Sequence, residues 1–221
     1  MKCSRLKYIG YFLFLPFLLY NQKEKNQHLI CCKWRLIKIG YDQELLKIIQ
    51  EDKEIMATLI AVEKLKLNDA WICAGALRNK VWDVLSNEST VVNDIDVIYF
   101  DSIDMCLGAE KVLEEKLENS LPNKPWSVKN QARMHLKSGF KPFISSYDGV
   151  AHFPETPTAI AARIFNGELE VMAPYGLEDL FEMRVKPTKY YEKGTDYHNI
   201  YVERVQSKNW QQYWKGLVID F

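Results

Sequence analysis

From Asp42 onward, apolar residues recur at helical spacing: Leu45, Leu46, Ile48 and Ile49, then Ile55, Met56, Leu59, Ile60, Val62 and Leu65. The spacing predicts one long or two short amphipathic helices with Asp42 as N-cap. Residues 70–74 (AWICA) run apolar and stop at Gly75, the pattern of a short buried strand. Helical spacing resumes from Leu77 to Leu85. Residues 93–100 (NDIDVIYF) are rich in β-formers and predict a further strand. Asp104 can cap a helix reaching Leu117, which Pro122 and Pro125 bring to an end. Residues 126–129 (WSVK) alternate like a short strand. Two runs, 158–165 and 168–172, flank Asn166-Gly167 and predict a β-hairpin. A short helix over 176–183 and a last helix over 196–214 complete the chain. This order predicts an α/β or α+β sheet covered by helices.

Composition narrows the class. The 221 residues are 48% hydrophobic and 26% charged, with 10 Gly and 8 Pro, which excludes disordered, collagen-like and low-complexity chains. Net charge is zero, with 29 basic and 29 acidic residues, so a globally basic nucleic-acid binder is disfavoured. The zero conceals an asymmetry. Residues 1–40 carry eight Lys/Arg and one acid, a net of +7, which leaves residues 41–221 at −7. Within the leader, residues 8–20 (YIGYFLFLPFLLY) form thirteen uncharged positions behind Lys2, Arg5 and Lys7. Pro16 interrupts this run, no small-residue cleavage site follows, and thirteen residues fall short of a ~30 Å membrane core. Two readings stay open for 1–40, a non-native extension or a weak membrane-surface anchor. No membrane role is expected for 41–221. The five cysteines are odd in number, include adjacent Cys31 and Cys32, and form no C-x-x-C, which points to a reducing, cytoplasmic setting.

Asp94-Ile95-Asp96 carries the sharpest chemistry. On a strand, Asp94 and Asp96 point to one face while Ile95 and Val97 point to the other. Two neighbouring carboxylates repel unless a cation joins them, and hard cations take carboxylate oxygens. Twelve Asp in 221 residues give about 0.6 such pairs by chance, so the pattern alone is weak. Its place in an otherwise apolar strand makes it informative. An exposed strand end with two solvated acids is the competing reading. Nineteen residues upstream, Gly75-Ala76-Leu77-Arg78-Asn79 joins a strand to a helix. Such a turn offers backbone N–H groups to an anion, and Arg78 adds a candidate phosphate clamp. Taken alone, a lone Gly-Ala favours an ordinary strand-to-helix turn with a surface arginine.

Together these features resemble the DNA polymerase β-like nucleotidyltransferase superfamily. The blocks WICAGALRNKVWD, NDIDVIYFD, WSVKNQARMH, FPETPTAIAARI and APYGLEDLFEMRVKPT, spread over most of residues 41–215, resemble a bacterial nucleotidyltransferase-like family formerly known only as a domain of unknown function. The resemblance implies an α+β fold with a mixed sheet flanked by helices, like the head domain of CCA-adding enzymes. It implies transfer of a nucleoside monophosphate from an NTP, with pyrophosphate release, to an unidentified acceptor: a small molecule, a protein or RNA. Carried over by position, Asp94 and Asp96 hold Mg²⁺ or Mn²⁺ and do the catalytic work, while Gly75, Ala76, Arg78 and Asn79 form the nucleotide-phosphate turn. Ala76 departs from the usual Gly-Gly or Gly-Ser and lacks a hydroxyl, though its backbone N–H remains. Many superfamily members carry a third carboxylate on the next strand, and this chain has Ser127 there, with Glu170 as a substitute only if the fold brings it close. Lys129 and Arg133 are further nucleotide-binding candidates, set against a reading of their block as a structural junction whose polar side chains cap helices. His135 is a weak candidate base. The aromatic tail of Trp210, Tyr213 and Trp214 is expected to pack on the body, with base stacking as the alternative. A catalytically weak or inactive nucleotide- or RNA-sensing module is the alternative to the enzyme.

Overall fold

A computed structural model describes residues 40–221. The reading of 1–40 as a leader falls on residues outside these, apart from Gly40.

Two short helices open the domain, α1 (Tyr41–Glu51) and α2 (Lys53–Lys64). The N-cap of α1 is Gly40, with no side-chain cap, so Asp42 is a first-turn acid and not the cap. The capping side chain is Asp52, whose Oδ1 accepts from the backbone N–H of Glu54 and of Ile55, each at 2.9 Å. This cap breaks the long apolar pattern in two.

The next elements are β1 (Trp71–Cys73), α3 (Gly75–Ser86), β2 (Ile95–Tyr99), α4 (Leu107–Ser120) and β3 (Trp126–Asn130). The helix expected from Asp104 begins after Cys106; Asp104 instead accepts the Cys106 N–H in the turn before it. Two helices escape the periodicity, α5 (Gln131–Ser138) and α6 (Ser146–Ala151). Both are polar, and both are started by a side-chain cap, Asn130 for α5 and Ser145 for α6. The hairpin is β4 (Ala161–Phe165) and β5 (Glu168–Met172). Asn166 and Gly167 both have positive φ, +52° and +81°, as a two-residue type I′ turn demands. After α7 (Glu178–Phe181) and β6 (Arg184–Val185) comes α8 (His198–Lys208). The expected last helix stops early because Asn209 turns left-handed at φ +45°; a 3₁₀ turn over Trp210–Gln212 and β7 (Val218–Ile219) follow.

Five strands form one mixed sheet in the order β3-β2-β1-β4-β5. β2 runs parallel to β3, while β1 is antiparallel to both β2 and β4. One sheet face presents Ile72, Ile95, Val97, Val128 and Ala162 to the main core, where they meet Leu45, Ile49, Leu59, Leu77 and Leu117 from α1 to α4. Each fully buried aliphatic side chain contributes roughly 1.5–3 kcal/mol. The other face carries a smaller cluster built on Trp71, Cys73, Ile98, Ala161 and Met172. The aromatic tail packs as expected at two positions: Trp210 and Trp214 are buried edge-on against Trp82, with ring centroids 5.8 and 5.1 Å away. Among the described residues, no helix is long and apolar enough to cross a membrane.

Candidate functional site

The alternation of β2 sends Ile95, Val97 and Tyr99 into the main core and leaves Asp96 on the opposite face. Asp94 lies just before the strand and is exposed, whereas Asp96 is half-buried. In the register, Asp96 stands opposite Cys73 on one side and Ser127 on the other. Burial and the neighbouring Asp94 push the Asp96 carboxyl up from its usual value, against the opposing pull of the Ser127 hydroxyl, Arg204 and Lys129. The fully buried Cys73 thiol is pushed well up by burial, and then by Asp96 and Asp94.

Across a narrow gap lies the start of α3. It begins at Gly75, two residues earlier than its apolar spacing suggests, and no side chain caps it. Its N-cap, Ala74, has φ +59° and ψ −125°, a conformation that L-residues rarely adopt. The strain therefore sits on Ala74 and not on the glycine. Gly75 marks the close approach: a Cβ there would stand 3.7 Å from Asp94 Oδ1 and 3.8 Å from Arg78 Nη2, in ordinary van der Waals contact with both. Turn and carboxylates thus meet at one point.

Both features line a cleft of about 460 Å³. One wall is Ala74, Gly75, Arg78 and Asn79; another is the loop 89–93 leading to Asp94 and Asp96; the third is Arg204, Lys208, Trp210, Tyr213 and Trp214. Asp83 of α3 ties two of these walls together. It accepts from the Thr90 N–H at 2.9 Å and from Trp214 Nε1 at 2.9 Å. Tyr213 is half-exposed at the cleft, unlike its two tryptophan neighbours.

Arg78 is not the surface arginine of the simpler reading. It is 4% exposed, donates from Nη1 to Thr158 Oγ1 and from Nη2 to Asn79 Oδ1, both at 2.7 Å, and stacks 4.4 Å beneath Trp210. Burial pushes its pKa down to about 10, against the charges of Glu155, Asp94 and Asp96. It is a floor for the cleft, with its Nε buried and unpartnered among the described residues.

Of the sequence-expected residues, the structure brings Gly75, Arg78, Asn79, Asp94 and Asp96 to this cleft and leaves others outside it. Ala76 is buried on α3 and faces a neighbouring hollow beside Ile95 and Lys124. Lys129 shares the Asp96 face of the sheet but donates to the Val128 carbonyl and pairs with Glu114. Arg133 is clamped by Glu110 through Nε and Nη2, at 2.8 and 2.6 Å, and Asn130 caps α5, the structural-junction arrangement. His135 lies on α5, away from the cleft lining. Glu170 is paired with Arg163 on the far edge of the sheet, so the fold does not offer it beside Asp96. No group of three or more His, Cys, Asp or Glu is arranged as a metal site among the described residues.

Arg204, Lys208 and Glu155 were not singled out by the sequence. Glu155 is 0% exposed and accepts from Arg204 Nε at 2.6 Å. Its segment is fixed by backbone bonds to the 186–188 stretch, Thr156 N–H to Lys186 O and Thr188 N–H to Pro154 O. An acid beside two prolines, in a run of threonines and small residues, was the available signal.

The comparisons agree with this architecture. Residues 60–219 match the model of a family described as nucleotidyltransferase. An NMR structure described as a CCA-adding enzyme head domain is 36% identical, with a TM-score of 0.72, over 80% of this chain and 95% of that one. A CCA-adding enzyme in complex with CTP is 12% identical with a TM-score of 0.50, a likeness of fold alone, and the chain spans 43% of its length. No curated protein matches. With the match running through β1, the α3 turn, β2 and the α8 segment, the chain belongs to the nucleotidyltransferase family.

Proposed function

We propose that the protein transfers a nucleoside monophosphate from an NTP to an acceptor, releasing pyrophosphate. The observation that carries this reading is the meeting of Asp94 with the α3 turn at Gly75, 3.7 Å from where a side chain would begin. Asp94 and Asp96 would hold Mg²⁺ or Mn²⁺. Their chemistry fits: the pair consists only of carboxylate oxygens, and burial and then Asp94 disfavour the charge of Asp96, a penalty that a bound cation would relieve. Such a cation, when bound, neutralises phosphate charge and acidifies the acceptor nucleophile. The uncapped N–H groups of α3 would receive phosphate oxygens, while buried Arg78 supports the turn from below.

The acceptor is open among small molecules, proteins and RNA. The −7 charge of residues 41–221 disfavours a long phosphate-backbone footprint. A cytoplasmic setting is supported by cysteine usage; Cys73 and Cys106 are both free thiols.

The test is transfer of label from [α-³²P]NTPs together with pyrophosphate release, for wild type, Asp94→Asn and Asp96→Asn, with folding checked by circular dichroism. The reading expects both variants to fold and to lose transfer. Equal transfer by wild type and variants sinks it. Ser127, directly opposite Asp96, favours a second reading, a nucleotide- or RNA-sensing module. That module would bind nucleotide with metal and release no pyrophosphate whatever acceptor is supplied.

A further inference from the structure

We propose that Arg204 and Lys208 of α8 form the subsite for the pyrophosphate end of the nucleotide, and that buried Glu155 is the positioning residue that aims Arg204 into it. This rests on the nucleotide reading of the cleft.

The argument starts from how each arginine is held. Arg133, Arg163 and Arg184 each face a carboxylate with Nε and a terminal amino group together, on Glu110, Glu170 and Asp220 respectively. Those are closed, fork-like pairs. Arg204 differs. Glu155 takes its Nε alone, and neither terminal amino group has a hydrogen-bond partner among the described residues. Its side chain remains 36% exposed and lines the cleft. An arginine anchored by Nε presents its outer two nitrogens, four N–H donors, to whatever enters.

The anchor is unusual in its own right. Burying a carboxylate completely is costly unless it is paired. Glu155 is fully buried, yet only Oε1 is engaged by a side chain, and Oε2 is unpartnered among the described residues. A buried ion pair is on its own a weak source of stability, since exchanging both partners for apolar residues is often neutral. A residue that fixes one cation beside two others gains a role from its burial. Arg78 and Arg204 repel each other, and Glu155 offsets that repulsion on Arg78. Glu155 therefore allows two guanidinium groups to line one cleft.

Lys208 lies one helical turn beyond Arg204, so the two cations project from the same side of α8 with Cβ atoms about 5–6 Å apart. Both line the same cleft as Asp94 and Asp96. Lys208 has no salt-bridge partner among the described residues. Two cations at this spacing match two adjacent phosphoryl groups, whose negative charge grows as the α–β bridging P–O bond breaks. In that step the acceptor oxygen gives up its proton to solvent and forms its bond to the α-phosphorus, and the electron pair of the broken bond leaves with pyrophosphate.

The experiment is a titration of the full chain with each NTP, its monophosphate and inorganic pyrophosphate, in Mg²⁺, read by tryptophan fluorescence of the cleft wall. Wild type is compared with Arg204→Met, Lys208→Met and Glu155→Gln. The expected result is a loss of NTP and pyrophosphate affinity of about 10–100-fold in Arg204→Met, less in Lys208→Met, with monophosphate affinity within about twofold of wild type. Glu155→Gln should lower the NTP-to-monophosphate affinity ratio in the same direction. A purely structural role would lower both ligands alike and leave that ratio unchanged, which would overturn the role of Glu155. The two α8 variants are cleft-surface changes and carry the test should Glu155→Gln not fold. Wild-type NTP and pyrophosphate affinity in both of them, with binding lost in the Asp94→Asn/Asp96→Asn double variant, overturns the subsite and leaves the nucleotide reading standing. Absence of NTP binding in wild type overturns both.

Discussion

Asp96 and Ser127 face each other across the parallel β2–β3 pair, side by side on one face of the sheet. The superfamily resemblance implied a third acid at that position; here a hydroxyl partly offsets the burial of Asp96. Ser127→Asp should therefore lower the stability of the metal-free protein by on the order of 1 kcal/mol. It should also enlarge the stabilisation gained on adding Mn²⁺. Thermal melts with EDTA and with Mn²⁺ measure both. A variant with unchanged metal-free stability would show that position 127 does not share the electrostatics of Asp96.

The raised pKa of Asp96 gives a pH prediction with a definite sign. The folded state holds the Asp96 proton more tightly than the unfolded chain, because burial and then Asp94 disfavour its charge. Its contribution to stability is fully present below the unfolded carboxylate value and is lost as pH rises through the raised folded value. Asp96→Asn cannot ionise, so it should gain stability relative to wild type between pH 4 and pH 7.5 in metal-free buffer. Urea midpoints across that range give the difference, and a constant difference would contradict the assignment.

Asp52 has the opposite sign. Its burial works to raise the carboxyl pKa but is outweighed by Lys80 and by the N–H groups of Ile55 and Glu54. The lowered value means that its contribution is present above the unfolded carboxylate pKa and fades as pH falls through the folded one. Asp52→Ala should cost about 1–2 kcal/mol at pH 7, and Asp52→Ser less, since serine still caps α2. Denaturant melts at pH 7 separate the two; equal losses would deny the cap.

Gly75 distinguishes stability from function. Its φ is not positive, so alanine is compatible with the backbone there. Gly75→Ala should leave stability unchanged or raise it by up to about 1 kcal/mol. The new methyl would enter the gap between Asp94 Oδ1 and Arg78 Nη2, so NTP affinity should fall about tenfold or more. A variant that binds NTP as well as wild type would remove the turn from the site.

Much of this architecture is legible in the sequence, for local reasons. The hairpin follows from Asn166-Gly167, because only such residues take two consecutive positive φ angles cheaply. The turning of Asp96 away from the main core follows from strand alternation, whereas Asp94 lies just before the strand. The missed pieces depend on distant partners or on caps. Helices α5 and α6 are short and polar, and begin on capping side chains that periodicity does not see. Arg133 looks like a free cation until Glu110, 23 residues away, closes on it. Arg204 looks like one residue of a solvated helix until Glu155, 49 residues away, holds it at the cleft. Ala74 gives no sign of its strain, because alanine at φ +59° is set by the surrounding chain and not by its own preference.

The central claim is that the cleft between β2 and the α3 turn binds a metal–nucleotide complex. The most direct test is the melting temperature of the full chain against a panel of NTPs with and without Mn²⁺, beside the Asp94→Asn/Asp96→Asn double variant. The account predicts an upward shift that requires Mn²⁺ and appears in wild type alone. A shift of equal size in the double variant, or no shift with any NTP in folded wild type, would contradict it.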